Sequence, residues 1–312
     1  MSKVIYMFLL ILLYSCNQSK KKSNLNGFDV SPDTKNIVFS YKVDSLYLVC
    51  TQPINNGRPS IIFKSSGNYV NPKYINNGKT IVALYYPHND LVPEFHFYDT
   101  ASHKINKRVK VDHGFISDYI FLPSNKIFYL QARTFQSYSK IAPKAYHDFD
   151  IYELDLNTLK SKRISNLNSY SMREILNVGK DSLLISRQGE PNESGLFLFN
   201  IKLDNKDQNV LNKIKIENDT LRNSTLYSNP VILSNNNILC ASSYQMVRLD
   251  LKAKKEHPVL PSTGYHYNII RNVKDLIFYQ QNDNTNNIYY FNLGDKKINF
   301  LNITLGKKDV AK

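Results

Sequence analysis

The chain has 312 residues, 42% of them hydrophobic, a formal net charge of +14, and only 11 glycines and 12 prolines. That composition excludes a disordered tail and a collagen-like chain, and the length admits two ordinary domains or one large repeat fold. With 22 tyrosines, 16 phenylalanines and no tryptophan, and with runs of Ile, Val, Leu and Tyr punctuated by Asn and Asp, strands are favoured over helices.

Met1-Ser2-Lys3 forms a short positive start, and residues 4–14 form the one continuously apolar stretch, which ends abruptly at Ser15-Cys16. About 20 such residues are needed to span a bilayer, so this is export-signal architecture and not a membrane span. An apolar segment ending in a small residue before cysteine resembles a bacterial lipoprotein signal. That resemblance implies removal of residues 1–15 and attachment of diacylglycerol and a palmitate-type acyl chain at Cys16. Each buried acyl methylene contributes about 0.8 kcal/mol, so two or more chains tether the protein to a membrane. Residues 16–26, including Lys20-Lys21-Lys22, are polar and without strand or helix period, and read as a flexible tether. Bacteroidetes-like lipoproteins displayed on the cell surface carry an acidic run after the cysteine. The basic run here implies an anchor in the outer membrane facing the periplasm.

From residue 27 to residue 303 one unit recurs six times: a strand, a tight polar turn, a strongly apolar strand, a variable loop, and an alternating strand ending in Asp or Asn. Its turns centre on Lys35, Lys79, Lys126, Asp181, Asn236 and Lys274, at spacings of 44, 47, 55, 55 and 38 residues. A further short strand follows the unit, as at Ser60-Ile61-Ile62-Phe63 and Ile298-Asn299-Phe300-Leu301. A period of roughly 40–50 residues with four strands per unit predicts an all-β, six-bladed propeller of four-stranded antiparallel blades. Radial stacking is the physical reason, because it covers both apolar faces of each sheet. Within the first unit, Val30-Ser31-Pro32-Asp33-Thr34-Lys35-Asn36-Ile37-Val38-Phe39 resembles the S-P-D-G-K repeat of TolB-type, WD40-like six-bladed propellers, with Thr34 where glycine is usual. TolB-type proteins carry an extra α/β domain before the propeller. A stand-alone propeller followed by a tail at 304–312 is expected here.

No G-x-S-x-G elbow, phosphate loop or H-E-x-x-H helix occurs, so neither a catalytic set nor a cofactor site is expected. The seven histidines, 88, 96, 103, 113, 147, 257 and 266, lack ligand spacing and no metal site is expected. Satisfied or solvent-facing side chains are the default, although blades can bring His88, His147 and His266 to one face. Residues 283–287 lack the Gly and Glu of a calcium loop and read as a hairpin turn. The carboxylate pairs Asp148/Asp150 and Glu190/Glu193 read as solvated loop charge. Cys50 and Cys240 lie in apolar strand-like runs; export permits a disulfide, and burial as free thiols is favoured.

Loops between second and third strands emerge on one propeller face and differ most between units. They comprise residues 85–90, the long segment 133–149 and residues 187–193. Aromatic and arginine side chains on such loops suit recognition, which singles out Tyr86, His88, Arg133, Tyr138, Tyr146 and Arg187 as binding candidates. Lys42, Arg133 and Arg187 occupy matching ends of second strands and are placed to converge at the channel mouth, with structural ion pairing as the competing account. The sequence therefore points to a lipid-anchored, non-enzymatic propeller of the bacterial cell envelope that binds a protein or envelope glycan. The alternative is a carbohydrate-active or other hydrolase at the channel mouth. Export disfavours nucleic acid, and lysines are spread along the whole chain.

Overall fold

The computed structural model describes residues 25–55, 57–88, 92–136, 145–189, 193–202, 211–216, 227–234, 236–242, 245–261, 266–281, 283, 285–303 and 305. Cys16 and the lysine run after it lie outside the described residues. Among the described residues, twenty-four strands form six four-stranded antiparallel sheets, as the repeat predicted, and each sheet takes four consecutive strands in order from centre to rim.

Second strands show why the blades stack. Ile37 and Phe39 pack in one apolar cluster with the last blade, whereas Val38 between them packs in another with blade 2. The alternation recurs at Ile81 and Val82, Ile127 and Phe128, Leu184 and Leu183, Ile238 and Leu239, and Ile277 and Phe278. Each of the six clusters fills one gap between adjacent blades. A strand buried on both faces reads as a continuous apolar run, which is what makes these segments conspicuous in the sequence.

Among the described residues, blade 1 is built from the N-terminal strands and blade 6 from the C-terminal ones, with no strand shared between the two. Side chains join them. Phe28, Phe39 and Tyr41 of blade 1 pack with Phe278, Ile288 and Leu301 of blade 6, and Ile303 and Leu305 extend the packing. Asn286 Nδ2 donates to Tyr41 Oη at 2.8 Å across the same seam. The first strand starts at Leu25, buried in this seam and two residues earlier than the boundary read from the sequence.

The six inner strands are Leu25–Val30, Asn68–Ile75, Phe115–Leu122, Ser171–Asn177, Tyr227–Ser234 and Tyr267–Val273. Each pairs with its second strand through a register shift. A bulge bends and twists the strand locally and turns side chains toward the channel. The first tight turn is held by Ser31, whose hydroxyl donates to Asp33 Oδ1 at 2.6 Å and accepts from Asn36 N at 2.9 Å. Thr34, at the position where glycine is usual, has φ of 61°, a left-handed angle that a β-branched residue adopts only with strain.

Three sequence expectations need correction. Segment 133–149 is mostly not loop, because the second and third strands of blade 3 run long, Lys126–Gln136 and Ala145–Asp155, and stay paired as far as Gln136 and Ala145. Tyr85 and Tyr86, and likewise Arg187 and Gln188, are also strand residues. Asp150 is not solvated loop charge. It is buried, and takes hydrogen bonds from Arg163, from Ser165 Oγ at 2.7 Å and from Leu167 N at 2.6 Å, which tie the third strand to the connection beyond the outer strand. Cys50 and Cys240 are free and buried, in different interblade clusters.

Candidate functional site

In this topology the start of every inner strand shares one face with the loops between second and third strands. The described candidates Lys42, Tyr86, His88, Arg133, Tyr146 and Arg187 all fall at that face. Tyr138 and Glu190 lie outside the described residues.

Tyr86 and Tyr146 are brought together there through a residue the sequence reading missed, Phe115, at the start of the blade 3 inner strand. Phe115 stacks on Tyr146 with centroids 5.2 Å apart and planes 18° apart, and on Tyr86 at 6.3 Å and 20°. Phe135, directly opposite Tyr146 in the blade 3 hairpin, extends the row at 4.9 Å. Two of these rings remain open, Phe115 at 37% exposure and Phe135 at 47%. The Tyr86 hydroxyl fixes the row to the scaffold, because it accepts from Ile116 N at 2.7 Å and donates to Ile116 O at 3.2 Å. Burial pushes the Tyr86 phenol up, so it stays protonated as that donor. Beside the row lies a cavity of about 390 Å³ between blades 3 and 4, lined by Phe115, Ser117, Tyr146, Phe149, Ser171, Met172 and Arg173.

The three matched cations each engage nearby partners. Lys42 Nζ lies 5.0 Å from the Tyr47 ring centroid. Arg133 pairs with Asp112 at 2.6 Å and covers the Tyr152 ring at 4.8 Å. Arg187 Nε donates to Ser169 Oγ at 2.6 Å, and its Nη2 reaches Glu193 at 3.2 Å. His88 is exposed. His96 is a satisfied core histidine, with Nδ1 3.0 Å from the Tyr69 hydroxyl and Nε2 3.0 Å from Glu94. Burial lowers its pKa, although the Glu94 carboxylate opposes that. Asp283 takes the Thr285 amide and hydroxyl and the Tyr289 hydroxyl, a side-chain-capped turn as expected of residues 283–287. Among the described residues no group of three or more His, Cys, Asp or Glu is placed to hold a metal.

A second concentration of polar groups lies in the central channel, where each inner strand presents one residue: Asp29, Lys73, Asp118, Glu174, Asn229 and Arg271. These groups latch neighbouring blades. Asp29 pairs with Arg271 at 3.2 Å and accepts from Tyr74 N at 2.8 Å; Lys73 pairs with Asp118 at 2.7 Å. Asp118 in turn accepts from Ile175 N at 3.1 Å, Glu174 accepts from the Asn229 backbone, and Asn229 Nδ2 donates to Tyr267 O at 3.1 Å. Every blade boundary is crossed once around the ring. Burial raises the Asp29 carboxyl against the pull of Arg271, and pushes Glu174 up to about 7 although Ser186 donates to it. Lys73, Asp118, Glu174, Asn229 and Arg271 border a cavity of about 230 Å³ that is open on one side. Their sequence signal is weak, because other polar residues such as Asn71, Arg173 and Asn272 share the same inner strands.

No protein-family model and no curated protein matches the chain. Solved structures do. The chain is similar to the tricorn protease (17% identity, TM-score 0.61), with 89% of this chain aligned but only 26% of that one. It is also similar to TolB from Acinetobacter baumannii (10% identity, TM-score 0.56, 80% of this chain and 62% of that one). The β-propeller domain of the Trilobed protease from Pyrococcus furiosus, described as having an open velcro topology, aligns at 12% identity and TM-score 0.56 over 88% of this chain and 82% of that one. The chain thus spans about a quarter of the tricorn protease chain and under two thirds of TolB. At these identities the likeness shows a fold, one that serves both proteases and TolB.

Proposed function

We propose that this protein is a lipid-anchored propeller of the bacterial cell envelope, held by Cys16 in the outer membrane and facing the periplasm. It binds an envelope component, protein or glycan, through its loop face and without turnover. One observation carries this reading: the row Tyr86, Phe115, Tyr146 and Phe135 leaves two large rings open on a rigid strand framework at the face where the candidates gather. Exposed aromatics beside polar side chains on a preformed scaffold are typical of recognition surfaces. The channel carboxylates, by contrast, are engaged in holding blades together. Capture of an envelope component by the full-length protein from detergent-solubilised envelopes should fall at least about tenfold in the Phe115→Ser, Phe135→Ser double variant. β circular dichroism should be unchanged. Undiminished capture would remove the loop face from consideration.

A second reading, a hydrolase, is favoured by one feature. Glu174, its carboxyl pushed up to about 7 by burial, borders the same channel cavity as Asp118, and acid–base chemistry uses two carboxyl groups facing one space. A screen of glycoside and peptide substrates decides it, since product formation lost on Glu174→Gln would reverse the ranking.

A further inference from the structure

We propose that the outer edge of blade 6 is a membrane-contact strip, where Lys296, Lys297, Ile298 and Phe300 meet the anionic headgroups and upper acyl layer of a bilayer; this rests on the Cys16 anchor proposed above. Residues 294–300, which turn into the outer strand Asn299–Asn302, are exposed without a break. Within them Phe300 is 62% exposed and Ile298 50%, two large apolar side chains two residues apart. Phe300 meets one ring among the described residues, that of Tyr289, at 6.5 Å and 52°. The other outer strands differ. Exposed positions in Ser60–Ser65, Lys104–Lys110, Lys160–Arg163, Asn212–Lys213 and Lys255–Leu260 hold only Lys, Arg, Ser, Asn, Glu or Pro. Charged edges keep a strand from pairing with another chain, so lysines at a rim need no partner to explain them. Bare Ile and Phe side chains do.

Reach, charge and orientation all fit a bilayer as the occupant. Cys16 precedes Leu25 by nine residues. An extended chain covers at most ~3.3–3.6 Å per residue, so the acylated end lies within about 30 Å of Leu25. Leu25 is buried in the same cluster as Leu301, the residue after Phe300, and the tether therefore joins the ring beside this edge. Lys296 and Lys297 stand against one carboxylate, Asp295, whose Oδ1 accepts from Lys297 N at 3.0 Å. The neighbouring turn of blade 5 adds exposed Lys252, Lys254 and Lys255 against Asp250 and Glu256, so the edge is net positive. Buried apolar area and attraction of lysines to anionic headgroups are the two sources of interfacial binding. A second copy would instead set two net-positive edges against each other. Blade 6 also stands opposite blade 3 in the ring, so seating this edge on lipid holds Phe115 and Tyr146 away from the membrane, with the loop face open to the side.

The test uses the full-length protein in vesicles containing phosphatidylglycerol. The chain has no tryptophan, so Phe300→Trp, Ile298→Trp and Leu159→Trp each introduce a single reporter, the last at an exposed position on the rim of blade 3. Emission of Phe300→Trp and Ile298→Trp should shift to the blue and be quenched by phospholipids brominated on their acyl chains. Leu159→Trp should keep the emission of a hydrated indole. Adding Lys296→Gln and Lys297→Gln to Phe300→Trp should lower the ratio of quenched to unquenched reporter at least about fivefold. The inference is overturned if either blade 6 reporter stays hydrated, if Leu159→Trp is quenched as strongly, or if the lysine replacements leave quenching unchanged. A blue shift without quenching by brominated lipid would also overturn it, by assigning the strip to a second copy or to another part of this chain. Intact mass separates this inference from the anchor reading: hydrated reporters on a chain acylated at Cys16 overturn the strip alone, and an unacylated Cys16 overturns both.

Discussion

Glu174→Gln tests the channel electrostatics. Burial raises the Glu174 carboxyl from its ordinary 4.5 to about 7, so the folded chain holds that proton more tightly than the unfolded chain. The sign follows. Below about 4.5 the group is protonated in both states and neutral in its effect. As pH rises from there toward 7 the unfolded state loses its proton first, and the folded state becomes progressively less stable relative to it. Above about 7 the full penalty applies, at most about 3 kcal/mol. Glu174 is mostly buried but keeps some exposure toward the channel cavity, so an effect of about 1–3 kcal/mol is expected. Glutamine keeps an acceptor for the Asn229 amide and removes the charge. The variant should therefore be more stable than the parent at pH 8 by that amount, with the advantage shrinking toward pH 5. With no tryptophan in the chain, urea unfolding followed by tyrosine fluorescence at pH 5, 6, 7 and 8 reads this directly. Asp29, also raised by burial, contributes the same sign in both proteins and cancels from the difference. Parallel stability–pH curves for parent and variant would refute the assignment.

Thr34→Gly relieves a β-branched residue at φ of 61°, and against the greater entropy of glycine in the unfolded chain should stabilise by about 0.5–1 kcal/mol, seen as a higher urea midpoint. Arg271→Met leaves the Asp29 carboxyl at the ring seam without its counter-charge and should cost about 1–3 kcal/mol at pH 7. The loss should diminish in acid as Asp29 protonates, which the same denaturation series at pH 4 checks. Tyr86→Phe removes both hydrogen bonds to Ile116 at the root of the aromatic row and should cost about 1–3 kcal/mol, measured by urea unfolding. Cys50 and Cys240, both buried and with the Cys50 thiol pushed up to about 12, should react with a disulfide reagent only after unfolding, which a thiol titration with and without denaturant measures.

Much of the architecture is legible because it is written in local periodicity. A second strand packed on both faces must be apolar at most positions, and its turn must carry residues tolerant of left-handed angles, so six such pairs announce six blades. Even the departure at Thr34 is visible as a missing glycine. Tyr86 and Tyr146 were legible too, as aromatics near variable loops, but the extent of those loops was not. Whether residues 133–136 and 145–149 continue the ladder depends on the partner strand they meet.

The sixfold repeat and the all-β class were set by the order of residue types along the chain, since each reflects interactions within a few tens of residues. The tertiary structure alone decided three things: that Phe115 bridges Tyr86 and Tyr146, that six polar residues of the inner strands become a ring of latches, and that side chains pack the first blade against the last. All of these contacts but the Phe115–Tyr146 stack join residues from different blades. Their geometry is created by radial closure, and no local pattern encodes it.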